Sequence, residues 1–112
     1  MSRIFHFIPK GEFDRSNSEE TLRVASLSTQ GFIHCSSAEQ VVGIANAILP
    51  GRSDLLLLEI EEASVIAPIV YENLEGGDRL FPHIYGPINR DAIVAIDSFL
   101  WNGQSYSLPD TL

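Results

Sequence analysis

All three histidines of this chain sit inside short apolar runs: Ile4-Phe-His-Phe-Ile8, Gly31-Phe-Ile-His-Cys-Ser36 and Phe81-Pro-His-Ile-Tyr-Gly-Pro87. No histidine falls in an obviously solvated loop. A strand that is apolar on both sides has to be covered on both sides, so residues 3 to 8 predict a strand packed between two layers, with His6 pointing into packed material. A buried imidazole needs partners, because an unpaired polar group away from water costs roughly 1–3 kcal/mol. The pattern therefore points to a built site as well as to a fold.

From Pro9 to Gln30 the text is polar and broken. It predicts a loop at Asp14–Ser18 and at most one helical turn at Glu19–Arg23. Gly31 opens a second strand in which Phe32, His34 and Ser36 share one face and Ile33 and Cys35 the other. That strand runs into a helix. Ser36 with Glu39 has the form of a capping box, and Val41, Ile44, Ala45, Ile48 and Leu49 recur at helical spacing until Pro50-Gly51 ends the pattern.

Leu55–Ile60 opens as an apolar run and ends in the charged Glu59-Ile-Glu-Glu62, expected as a central strand leaving the core. Pro68 marks a break or an edge before Ile69–Glu72, Gly76-Gly77 a turn, and Phe81–Pro87 an ordered loop or short bulged strand. Ile93–Phe99 alternates as another strand, Asn102-Gly103 predicts a two-residue hairpin turn into Ser105–Leu108, and the tail after Pro109 is expected to fray. The sum is one α+β domain over residues 1–112, a small split antiparallel or mixed sheet with one main helix.

With 112 residues and 45% hydrophobic content the chain can bury one sizeable core. Fifteen acidic against seven scattered basic residues give a net charge of −8, which disfavours nucleic acid as a partner. A lone cysteine, Cys35, suits a reducing compartment, and no run approaches the roughly 20 apolar residues that span a bilayer. The expected setting is the cytoplasm, with no membrane contact.

His34 and Cys35 are strand neighbours facing opposite ways, so they cannot share one ion, and no metal is expected. Cys35 alternates with Ile33, which predicts a core thiol rather than a nucleophile. Ser36, Ser37 and Gln40 can serve either as helix caps or as ligand contacts. At least two of the three histidines are expected to line one pocket, with Tyr85 and Glu72 placed to orient their rings, while the segment around His83 has no period that says which way that side chain faces.

The segment Gly31–Ser36 with Glu39-Gln40, the strand Leu55–Ile60, Tyr71-Glu72 and Phe81–Pro87 resemble domain-of-unknown-function family 952, found in bacteria and plants. More distantly, that family resembles the ADP-ribosyltransferase fold, a split sheet that clamps NAD between its halves, in its RNA 2'-phosphotransferase branch. His6 matches the first-strand histidine of that branch. Ile33-His34-Cys35-Ser36 matches its second histidine strand, and Phe81-Pro82 matches a late Pro-containing segment. Phe7 stands where a glycine usually follows the first histidine, and the arginines that grip RNA phosphate have no clustered equivalent.

The resemblance implies that His6 hydrogen-bonds a ribose hydroxyl and that His34 fixes the nicotinamide-side ribose or a phosphate, with Glu72 the carboxylate that meets oxocarbenium charge. The expected catalytic set is thus His6, His34, His83 and Glu72, the expected ligand contacts are Ser36, Gln40, Phe81, Tyr85 and Gly86, and the ligand is NAD or a related phosphorylated or ribosylated small molecule. Three roles follow as expectations. The protein transfers ADP-ribose or cleaves the nicotinamide bond, or it is a noncatalytic binding or sensor domain, or its histidines only brace the core.

Overall fold

The computed structural model describes residues 2–74 and 77–109. In chain order it contains β1 (Arg3–Pro9), α1 (Lys10–Ser16), β2 (Thr21–Leu22), α2 (Ser26–Thr29), β3 (Ile33–His34) and α3 (Ala38–Ile48). There follow β4 (Leu55–Glu61), β5 (Ile69–Glu72), β6 (Phe81–Ile84), β7 (Ile88–Asn89), β8 (Ile93–Ser98), β9 (Leu100–Trp101) and β10 (Tyr106–Ser107). This is an α+β fold in which every described ladder is antiparallel.

Two three-stranded sheets carry the molecule, one ordered β1-β4-β8 and the other β3-β6-β5. Leu55–Glu61 is the central strand of the first, as the apolar run that opens it predicts. The two sheets meet where Phe5 and Ser36 exchange backbone hydrogen bonds of 2.7 and 2.8 Å.

Alternation along β1 and β4 divides the interior in two. Ile4, Ile8, Leu58 and Ile60 pack with Ile33 and Ile84 of the second sheet, whereas Phe5, Leu55 and Leu57 pack with Val41 and Ala45 of α3 and with Phe99 and Tyr106. Burying each such side chain contributes about 2 kcal/mol. The first sheet is therefore covered on both faces, and His6, in phase with Ile4 and Ile8, lies on the side of the second sheet.

Several expectations are corrected. The supposedly broken stretch 9–30 contains α1, β2 and α2: Pro9 precedes the first helical turn, and the buried Phe13, Leu22 and Val24 tie these short pieces to the core. Phe13 stands alone and Leu22 and Val24 make a single alternation, too little for a periodic signal. The capping box is at Ser37 and Gln40, one residue later than expected, because the bridge to Phe5 holds Ser36 extended.

Phe81–Ile84 is a regular strand at the centre of the second sheet, despite Pro82. The Pro82 carbonyl accepts the Cys35 N–H at 3.0 Å, just past the end of β3. In an antiparallel ladder N–H and C=O of one residue face the same neighbour, so the missing proline donor falls where the ladder is already ending. The β9–β10 hairpin pairs Trp101 with Tyr106, making a four-residue loop rather than a two-residue turn. Asn102 Oδ1 accepts the N–H groups of Gln104 and Ser105, at 2.9 and 3.0 Å, and Gly103 supplies φ of 102°. The expected turn residue Gly76 and the tail beyond Pro109 lie outside the described residues.

Candidate functional site

A cleft of about 720 Å³ runs along the outer edge of β1, between the two sheets. His6, His34 and His83 all border it, together with Ser36, Phe81, Phe32 and Gln30. Ile44, Ile48 and Leu49 of the α3 region form an apolar wall, and Arg52 lies at the same border.

Register explains the meeting of the rings. His34 and His83 are direct cross-strand partners in β3 and β6, so their side chains share a face, and their rings lie 5.1 Å apart, edge to face. Phe32, two residues before His34, stacks on His83 at 4.3 Å and meets His34 at 4.8 Å. His6 approaches from the other sheet and places Nδ1 2.5 Å from the His34 carbonyl oxygen.

These contacts assign protons. A carbonyl can only accept, so His6 Nδ1 carries the hydrogen, and neutral His6 presents a lone pair at Nε2. Burial holds the His6 pKa below the usual imidazole value, partly offset by that bond to His34. Its Nε2 is sealed from solvent without a partner among the described residues. His34 is exposed, and its Nε2–H donates to Gln30 Oε1 at 2.5 Å.

His83 is 3% exposed and donates from Nδ1 to Glu72 Oε2 at 2.9 Å. The Tyr85 hydroxyl donates to the same carboxylate oxygen. The Tyr85 hydroxyl first, and then His83, hold the Glu72 pKa below the ordinary carboxylate value.

Four expected site residues do not border this cleft. Glu72 and Tyr85 contact His83 from outside the cleft border, so Glu72 is placed to orient an imidazole rather than to face a ligand. Gln40 is occupied, its Oε1 taken by the Ser37 N–H at 3.0 Å and its Nε2 given to the Leu80 carbonyl at 3.1 Å. Gly86 packs so tightly on Ala67 that a Cβ added there would lie 2.8 Å from the alanine methyl. Cys35 is buried beside Ile33, and desolvation raises its pKa, which removes it as a nucleophile at neutral pH.

Reading the sequence missed Gln30 and Arg52. Gln30 precedes the Gly31 turn, where no period marks it. Arg52 follows the Pro50-Gly51 stop and is bound by Asp54 through bonds of 2.8 and 2.5 Å. Among the described residues no three His, Cys, Asp or Glu side chains are grouped to hold a metal ion, and no helix is long and apolar enough to cross a membrane.

An α+β domain with imidazoles from its two three-stranded sheets on one cleft is the class this geometry defines. The family model described as "Protein of unknown function (DUF952)" matches residues 7–96, and the chain belongs to that family. The crystal structure of protein CC0527 from Caulobacter crescentus is similar over 98% of this chain and 97% of its own, at 24% identity and a TM-score of 0.84. The solution NMR structure of CC0527 is similar over 100% of this chain and 97% of its own, at 26% identity and a TM-score of 0.80. No curated protein matches the chain.

Proposed function

We propose that the cleft along β1 binds a small ribosylated molecule, with NAD the first candidate. The observation that carries this reading is the meeting of three imidazoles, from β1, β3 and β6, on one cleft. Chemistry supports it as well: imidazole rings suit sugar hydroxyls, and the aromatic and aliphatic walls suit a planar base. The likeness to the split-sheet ADP-ribosyltransferase fold adds an expectation of the reaction class, transfer of ADP-ribose or cleavage of the nicotinamide bond.

One observation favours the noncatalytic binding or sensor reading over turnover. Glu72, nominated to meet oxocarbenium charge, is engaged with His83 and Tyr85 away from the cleft border. Glu12, the one carboxylate on that border among the described residues, accepts the Ala25 N–H at 3.1 Å. A phosphorylated ligand would also find the bordering Arg52 already paired with Asp54. The cleft is accordingly a binding site first, and ribosylation is the ligand feature it favours.

A thermal-shift series with NAD, ADP-ribose, nucleosides and nucleotides tests this. Stabilisation of the protein by a ribosylated compound, lost in folded His6→Ala and His34→Ala variants, is the expected result. A protein that responds to no compound, and that loses only stability in those variants, has core-bracing histidines instead.

A further inference from the structure

We propose that His83 is the residue that reads a hydrogen-bond donor on the ligand, its Nε2 lone pair presented to the cleft because Glu72 and Tyr85 fix the proton on Nδ1. The inference rests on the cleft being a binding site, and it deepens that reading by naming what the ligand must offer: an O–H or N–H.

The geometry is a three-residue relay ending at the cleft. Tyr85 donates its hydroxyl to Glu72 Oε2, the same oxygen accepts His83 Nδ1–H at 2.9 Å, and His83 borders the cleft. An ionised carboxylate only accepts, so in the neutral ring the shared oxygen holds the proton on Nδ1 and leaves the lone pair on Nε2. Among the described residues the one hydrogen bond of the His83 ring is that from Nδ1 to Glu72. Phe32, stacked at 4.3 Å, and His34, edge-on at 5.1 Å, restrict the tilt of the ring.

A site built around a buried acceptor discriminates strongly. A ligand that lacks the donor leaves the lone pair desolvated and unpaired, and is rejected by far more than a lost contact would suggest. Glu72 and Tyr85 are positioning residues here, acting on the ligand only through His83.

The test uses the whole protein with 15N-labelled histidine. Long-range proton–nitrogen correlation spectra of the unliganded chain at neutral pH should show His83 as a single Nδ1–H tautomer. Glu72→Ala should mix the tautomers, and Glu72→Gln, whose amide oxygen still accepts, should restore the single form. Should Glu72→Ala fail to fold, Tyr85→Phe is read instead, with a partial mixture expected. Carbethoxylation of His83 by diethyl pyrocarbonate, followed by peptide mass spectrometry, should be slowed by adenosine and not by sulfate, which has no donor. A wild-type Nε2–H tautomer, an unchanged tautomer in folded Glu72→Ala, or equal protection by sulfate overturns the inference. If adenosine and NAD neither stabilise the protein nor protect His83, the binding reading fails, whereas the tautomer, measured without ligand, speaks for His83 alone.

Discussion

His6 and His34, 28 positions apart in the chain, are joined by a 2.5 Å hydrogen bond from the Nδ1 of the first to the backbone carbonyl of the second. The bond links a strand of one sheet to a strand of the other beside the Phe5–Ser36 bridge, so it fixes the approach of the two sheets at the cleft. It also fixes the tautomer of His6. One contact thus serves packing and site geometry together.

Removing that contact should cost stability. His6→Ala deletes a buried ring, leaves the His34 carbonyl without its donor, and is expected to destabilise the protein by about 2–4 kcal/mol in urea denaturation. A cost under about 0.5 kcal/mol would mean that the bond contributes little and that the sheets are held by their apolar faces alone.

The same residue sets a pH dependence. Burial lowers the folded pKa of His6 below 6.5, so the unfolded chain binds its proton first on acidification. The stability His6 contributes is complete above about pH 6.5 and is lost as pH falls below it, by up to about 1.4 kcal/mol per pH unit. Glu72, also lowered, contributes stability above its ordinary 4.5 and loses it below that value. Melting temperatures from pH 8 to about 3 should fall in two stages, and a folded His6→Gln variant should lack the first.

Gly86 offers a packing test. The Cβ of Gly86→Ala would meet the Ala67 methyl at 2.8 Å, and the variant should lose about 1–3 kcal/mol. Adding Ala67→Gly should recover much of that loss. Ligand stabilisation of the folded variant should persist, since Gly86 does not border the cleft.

Asn89 is a buried tie that sequence patterns do not mark. It is 8% exposed, accepts the Ile66 N–H at 2.9 Å and donates to the Ser64 carbonyl at 2.9 Å, pinning the 62–66 connection against β7. Asn89→Ala strands two backbone groups and should cost about 1–3 kcal/mol by chemical denaturation, with exchange of the Ile66 amide accelerated.

What could be read from the chain, and what could not, follows from how each feature is encoded. β1, α3, β4 and β8 were legible because strong apolar periodicity and stop residues are local. The histidines were legible as a set because each interrupts an apolar strand, and strand alternation carries that into a shared face. α1 and α2 were not legible, since single anchors such as Phe13 act through tertiary contact. Sequence alone leaves Glu72 with two roles, orienting a ring and facing a ligand. Only its bonds to His83 and Tyr85 separate the two roles, and those depend on the pairing of β5 with β6. Gln40 and Ser37 were ambiguous for a similar reason, because a one-residue delay of the helix decides which oxygen caps it.

The most direct measurement of the central claim is a titration of histidine-labelled protein with the ribosylated compound that stabilises it best, followed at all three imidazoles by NMR. Convergence on one binding cleft predicts that the His6, His34 and His83 signals shift together along a single saturation curve with one Kd. Shifts confined to exposed His34, with His6 and His83 unmoved at saturation, would contradict it.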